Sequence, residues 1–346
     1  MNLSKHHRPC NRLDLKLAPT KSLKKRKLRK FTPLKPPFVI KSLHDLLRVA
    51  WCYDGSDFSW FRLWKLIPAL TELSQMVGME GLKQTIVDIV LYHIRNKPSD
   101  KPDDGDMMHI AIMGEPGTGK TTVAKIIAKI YSGLGYLKTD NVVIAKRSDF
   151  IGKWIGHTED KTMAILESAK DGVLFIDEAY SMGQADNVDN FSAAAVDLIN
   201  AHLSENAGRF LCIIAGYEDE LEKKFFSMNQ GLSSRFPWRI KIDTYTSHHL
   251  HDMFVHHVQS VGWGLEPGAI DPKFFESNRH LFKFNCRDVK AFFTKCKISH
   301  IRRTFGLLTT SNVLSAEDVR DALCAYRQNY QESTKTMSEA VKFMYM

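Results

Sequence analysis

The chain has 346 residues, 44% hydrophobic and 25% charged, with a formal net charge of +9. That is enough apolar content for a sizeable core, organised as one large domain with appendages. No apolar run approaches the ~20 residues needed to cross a bilayer, and the opening residues lack the apolar stretch of a signal peptide, which predicts a soluble, intracellular protein.

Residues 1–41 hold thirteen Lys and Arg against the single acid Asp14, so this arm carries +12 and the remainder −3. With few aromatics, a Pro-rich exit at Thr32–Pro37 and no periodicity, it is expected to be a disordered basic arm. Its run Lys21–Lys30 suits a nucleic acid, an acidic partner or a nuclear import receptor, or simply a solubilising tail. In residues 42–70, Leu43, Leu46, Leu47, Ala50 and Trp51 recur at helical spacing, and Phe58–Ile67 is dense in aromatics. This reads as a helical lead-in packed on the main domain, with a peptide-binding groove as the alternative.

From residue 71 a helix over Met79–Arg95 presents Leu82, Ile86, Ile89 and Val90 on one face, and apolar strands follow at 109–113, 141–145, 173–176, 210–215 and 238–242. Apolar strands alternating with helices predict an α/β fold: a parallel five-stranded sheet covered on both faces. After about residue 244 the strands stop, and helices near 247–261, 286–303 and 316–330 predict a smaller all-helical subdomain. The expected organisation is therefore 1–41 arm, 42–70 lead-in, 71–244 nucleotide-binding subdomain, 245–330 helical lid and 331–346 tail.

Between the strand His109–Met113 and the helix Thr122–Ile130 lies Gly114-Glu115-Pro116-Gly117-Thr118-Gly119-Lys120-Thr121, which fills every position of G-x-x-x-x-G-K-[ST]. A glycine-rich turn there aims successive backbone N–H groups and the positive end of a helix dipole at a polyphosphate. Lys120 is expected on the β- and γ-phosphates and Thr121 on Mg2+, with Thr122 beside them. About 60 residues on, the strand Val173–Ile176 ends in Asp177-Glu178. Strand C-termini share one edge of a parallel sheet with the phosphate loop. Asp177 is then the second Mg2+ residue, and Glu178 the base for the water that attacks the γ-phosphate. Together the motifs predict an ATPase using ATP and Mg2+. Guanine specificity wants Asn-Lys-x-Asp downstream, whereas Asn96-Lys97-Pro98-Ser99 is upstream and lacks the Asp.

Two other features are weighed from residue type. Cys10, Cys52, Cys212, Cys286, Cys296 and Cys324 are scattered without a C-x-x-C pair, against a disulfide framework or zinc site. His248, His249, His251, His256 and His257 spread around one helix and read as solvated or capping histidines.

The ordered set of motifs resembles the AAA+ ATPases, and more closely the CbbX and stage V sporulation protein K group, which includes red-type Rubisco activase. The matching stretches are Met76–Met79, Asp149–Thr158, Gly172–Tyr180, Ile214–Tyr217, Asn229–Phe236 and Asn285–Arg287, over about residues 71–330. The lead-in resembles that of related ATPases from large DNA viruses. The resemblance implies a homo-oligomeric ring, usually a hexamer, with nucleotide at each junction. It implies Arg235 as an arginine finger reaching the neighbouring site, the alternative being a surface salt bridge. It also implies Arg287 as the sensor-2 arginine, and Val77 and Gly78 beside the nucleotide. Lys153-Trp154-Ile155-Gly156 corresponds to the pore loop whose aromatic grips an extended chain, unless Trp154 packs on its own subunit. Tyr217 stands where AAA proteins commonly have the sensor-1 Asn, which leaves open the residue that orients the water. Gln230 replaces the group's Pro, and nothing points to Rubisco as client.

Three functions are compatible: an ATP-driven remodeller of a protein client, a nucleic-acid motor or loader using residues 1–41 to capture DNA or RNA, and a nucleotide-gated scaffold. The complete set Lys120, Asp177, Glu178 and Arg235 speaks against the scaffold. The net-acidic body, with Lys153 the only cation of the pore loop, speaks against the motor.

Overall fold

Helices α1 (Leu43–Cys52) and α2 (Phe58–Ser74) lead into α3 (Glu80–Arg95), after which strands and helices alternate in the computed structural model. The structure describes residues 39–52, 58–95, 107–152, 154, 156–183, 190–206, 210–307 and 311–329. The basic arm expected over 1–41 lies outside them except for 39–41, as do Lys153, Ile155 and the tail 331–346.

The strands are β1 (Ile110–Met113), β2 (Val142–Ala145), β3 (Val173–Ile176), β4 (Leu211–Gly216) and β5 (Trp238–Lys241). They form one parallel sheet in the order β2-β3-β4-β1-β5. Successive side chains of a strand face opposite ways, and the core divides accordingly. Ile110, Ile112, Val173, Phe175, Leu211 and Ile213 belong to one apolar cluster, with α3 and α4 (Lys120–Leu134). Ala111, Met113, Leu174, Ile176, Cys212 and Ile214 belong to the other, with α6 (His157–Ser168) and α7 (Asn190–Glu205). Burial on both faces is why β1, β3 and β4 read as unbroken apolar runs. Short helices α5 (Arg147–Phe150), α8 (Glu218–Glu220) and α9 (Gln230–Arg235), with helical turns at Ala179–Met182, Leu221–Phe225 and Phe226–Met228, complete this part.

The lead-in packs on the helix of the phosphate loop. A Cβ on Gly133 of α4 would lie 2.6 Å from Leu66 Cδ2, so α2 crosses α4 where the side chain is missing. Lys129 of α4 pairs with Glu72 of α2 at 2.6 Å.

The C-terminal part is helical, as expected: α10 (Ser247–Ser260), α11 (Pro272–Ser277), α12 (Cys286–Thr304) and α13 (316–329). The sequence reading did not anticipate the two-residue parallel pair of β6 (Gly264–Leu265) with β7 (Val313–Leu314), a pairing too short to leave a periodic signature. Phe254, Phe275, Phe282, Phe292 and Phe293 are buried together at its centre. Asp318 ties α13 to α12. It accepts from Arg303 Nε at 2.7 Å and the Ser315 N–H at 2.9 Å, and pairs with His300 Nδ1 at 3.0 Å. Burial alone would raise its carboxyl, but these bonds outweigh burial and hold it well below the usual range. At the start of α10, Thr246 and His249 cap each other: the His249 N–H donates to Thr246 Oγ1 and the Thr246 N–H to His249 Nδ1, both at 3.3 Å. One of the five lid histidines is thus a capping residue.

Candidate functional site

The phosphate loop leaves the C-terminal end of β1, where the Gly114 N–H donates to the Gly216 carbonyl at 3.0 Å and keeps the loop in register with β4. Gly117 (φ 74) and Gly119 (φ 93) take left-handed backbone that disfavours side chains. Thr118 is buried, and its Oγ1 donates to the Glu115 carbonyl at 2.8 Å, closing the turn from inside. Lys120, the first residue of α4, donates through Nζ to the carbonyls of Gly114 and Glu115, each at 2.8 Å. Burial lowers its pKa, opposed by the charges of Asp177 and Glu178.

One cavity of about 370 Å3 lies against this loop. Pro116 to Thr122 line it, with Asp177, Glu178, Tyr180, Gly216 and Tyr217 from the ends of β3 and β4. Cys286, Arg287 and Lys290 from the first turns of α12 close it. The structure thus brings together the predicted Pro116, Gly117, Thr118, Gly119, Lys120, Thr121, Thr122, Asp177, Glu178, Tyr217 and Arg287. Gly114 and Glu115 support the loop from outside the cavity lining. Val77 and Gly78 also stand outside it; Gly78 packs against His249 and Tyr245 of the lid.

Sequence reading missed Tyr180, Gly216, Cys286 and Lys290. Lys290 had a usable signal, since it follows Arg287 by three residues and shares its helix face. Tyr180 is tilted against Tyr217 with ring centroids 5.9 Å apart, a pairing across two strand ends that no spacing announces.

The residues suit a nucleoside polyphosphate with a divalent cation. The loop has no room for a Cβ at Gly117, Lys120 supplies a cation, and Thr121 and Asp177 share the cavity. No cluster of three or more metal-ligating side chains occurs among the described residues. AAA ATPases typically bind ATP with Mg2+, an ion that usually takes one or two protein oxygens together with phosphate and water. Glu178, at φ 52, turns the chain sharply after β3 and is exposed at the cavity.

Arg235 stands elsewhere. It ends α9 just before β5, whose first residue Trp238 pairs with Ile110, the first of β1. It is therefore at the edge where the strands begin, with roughly 13 Å of β1 between it and its own phosphate loop. Its Nε donates to Ser204 Oγ and its Nη1 to the Gly231 carbonyl, both at 2.7 Å.

Of the predicted pore loop, Trp154 and Gly156 are described. The loop is pinched at its base: the Gly152 N–H donates to Thr158 Oγ1 at 2.9 Å, and Lys161 Nζ donates to the Ile151 carbonyl at 3.0 Å. Trp154 stands beyond the pinch, 75% exposed, and Gly156 (φ 86) turns the chain into α6.

A family model described as "ATPase family associated with various cellular activities (AAA)" matches residues 110–244. A putative cfxQ-like protein of Acanthamoeba polyphaga mimivirus is 35% identical over 280 residues, 79% of this chain and 68% of that protein. Stage V sporulation protein K of Bacillus subtilis is 37% identical over 180 residues, 51% of this chain and 55% of that protein. The chain thus spans about two thirds of the first relative and about half of the second. Among solved structures, the Thermotoga maritima RuvB Holliday junction branch migration motor aligns with a TM-score of 0.50 at 19% identity, over 73% of this chain and 71% of that one. At that identity the likeness concerns the fold alone. No helix among the described residues is long and apolar enough to cross a membrane.

Proposed function

Given that the chain belongs to the AAA family of ATPases, among proteins related to CfxQ, we propose that it forms a homo-oligomeric ring that draws a protein client through a central pore. The family hydrolyses ATP and typically assembles as oligomeric rings; the hexameric count and the polypeptide client are our reading.

In this reading the backbone N–H groups of Gly117 to Thr121 and the Lys120 ammonium hold the β- and γ-phosphates. Thr121 and Asp177 would hold Mg2+, which when bound neutralises charge on the phosphate oxygens. Glu178 takes the proton of the attacking water, which Tyr217 borders. Arg287 and Lys290 bring positive charge from the lid. Arg235, too far from its own loop, serves the neighbouring subunit's site across the junction. Repetition of one such head-to-tail contact closes a ring.

The observation that carries the remodelling reading is Trp154, exposed at the end of a loop pinched at its base. A large aromatic held away from its own core is suited to grip side chains of a passing polypeptide. The test is steady-state ATPase activity with an unfolded, carboxymethylated protein, single-stranded DNA or RNA added. Stimulation by polypeptide, lost in Trp154→Ala and kept in Trp154→Tyr, is the expected result. Stimulation by nucleic acid alone would make the ring a nucleic-acid motor, with residues 1–41 as its capture arm.

A further inference from the structure

Asn285 precedes α12, at a position where an Asn side chain ordinarily accepts from a backbone N–H of the first helical turn. Here it makes no such bond. Its backbone has φ 49 and ψ −118, a conformation that non-glycine residues avoid, and its side chain is fully buried. The amide is turned the other way. Oδ1 accepts from Arg279 Nη2 at 3.2 Å, and Nδ2 donates to Glu115 Oε2 of the phosphate loop at 3.4 Å.

These bonds complete a circuit. Arg279 Nη2 also donates to the Tyr245 carbonyl at 3.3 Å, and the Tyr245 hydroxyl donates to the Thr118 carbonyl at 2.9 Å. Thr118 Oγ1 donates to the Glu115 carbonyl, returning to the loop. At the same place the Phe284 carbonyl occupies the space a Cβ of Gly117 would take, 2.1 Å from it. The residue after the strained turn but one is Arg287, in the cavity.

We propose that Asn285 is a positioning residue for ATP hydrolysis: it latches the lid to Glu115 and so fixes where Arg287 stands over the phosphate loop. This rests on the reading of Arg287 as a phosphate contact. Strain at an N-terminal helix boundary persists only where surrounding bonds over-determine it. Local bonds hold part of this turn, the Phe284 N–H donating to Asp288 Oδ2 at 2.6 Å and the Asn285 N–H to the Phe282 carbonyl at 3.4 Å. The Asn285 amide leads to the phosphate loop, directly at Glu115 and through Arg279 and Tyr245. Any movement of α12 that withdraws Arg287 must break the Glu115–Asn285 bond, so the latch ties the cation's placement to the state of the loop.

The test uses the full chain and reads kcat and KM for ATP. Asn285→Asp tolerates the same backbone and keeps Arg279's acceptor, but sets a carboxylate against Glu115. It is expected to lower kcat about ten-fold with KM changed less than about three-fold. The double variant Glu115→Gln/Asn285→Asp exchanges donor and acceptor across the same gap and is expected to return kcat to within about three-fold of the parent. Glu115→Ala removes the bond without touching the strained turn, and should lower kcat as Asn285→Asp does. In an Arg287→Ala background Asn285→Asp should cost less than about two-fold further, because it acts through that arginine. A double variant as slow as Asn285→Asp, or Glu115→Ala at the parental kcat, overturns the latch. An Arg287→Ala chain with unimpaired kcat overturns the reading of Arg287 and with it this route of action. The donor–acceptor exchange then still decides whether the contact matters.

Discussion

Arg62 Nε of α2 donates to the carbonyl of Leu134, the last residue of the helix that begins at Lys120, at 3.0 Å. Its Nη1 also reaches the Ile94 carbonyl of α3 at 3.4 Å. One buried guanidinium thus meets the negative ends of two helices. Burial lowers its pKa, and the lost hydration is replaced by orphan carbonyls and by the Tyr136 ring 6.0 Å away.

Replacing Arg62 by Met keeps much of the apolar stem and strands those carbonyls. We expect a loss of about 2–4 kcal/mol, read as a lower urea midpoint. An unchanged midpoint would mean that the lead-in is not fastened to α4 by this residue.

Gly117→Ala forces a Cβ toward the Phe284 carbonyl at φ 74. The loop or the start of α12 must shift. Binding of a fluorescent ADP analogue should weaken at least ~10-fold, a large functional effect for one methyl group. Parental affinity would show that the loop and lid separate freely here.

Glu178→Gln keeps shape and removes the base. Turnover should fall by ~10²–10⁴-fold while ATP binding persists. Hydrolysis at the parental rate would remove Glu178 from that role.

Arg235→Ala and Glu178→Gln chains should each be nearly inactive alone. Mixed in equal amounts and allowed to exchange subunits, they should regain turnover. About a quarter of random junctions then pair an intact Glu178 with an intact Arg235 of the neighbour. Mixtures as inactive as either parent would place Arg235 outside the shared site.

His109 is buried at the start of β1, accepting from the Cys212 N–H through Nδ1 at 3.1 Å and facing the Leu203 carbonyl with Nε2 at 3.4 Å. Burial lowers its pKa from 6.5 to about 4. The unfolded chain therefore takes up the proton first as pH falls. The stability involved is fully present above pH ~6.5 and is lost between ~6.5 and ~4, up to about 3 kcal/mol. Urea midpoints measured from pH 7.5 to 4.5 should fall more steeply for the parent than for His109→Asn. Equal slopes would assign the acid sensitivity to other groups.

Much of this architecture is legible along the chain because it is local. Glycines that turn left, a lysine at a helix start and apolar runs four residues long announce the phosphate loop, the strands and the position of Asp177 and Glu178 without any tertiary information. These features depend on neighbours in sequence: steric freedom at φ, dipoles at a helix end, and the period of burial.

What only the tertiary structure decided is which distant pieces meet. The order β2-β3-β4-β1-β5 puts Asp177 and Tyr217 on the edge of Gly114 and leaves Arg235 at the other end of the strands. Asn285 reached across to Glu115, Arg62 closing two helices at once, and Lys290 beside Arg287 in the cavity all follow from packing. A buried charge or amide takes whatever partner the fold brings within 3 Å or so. The chemistry of the loop is thus written in the chain, while the identity of the groups that hold and gate it is set by the folded arrangement that puts them within bonding distance.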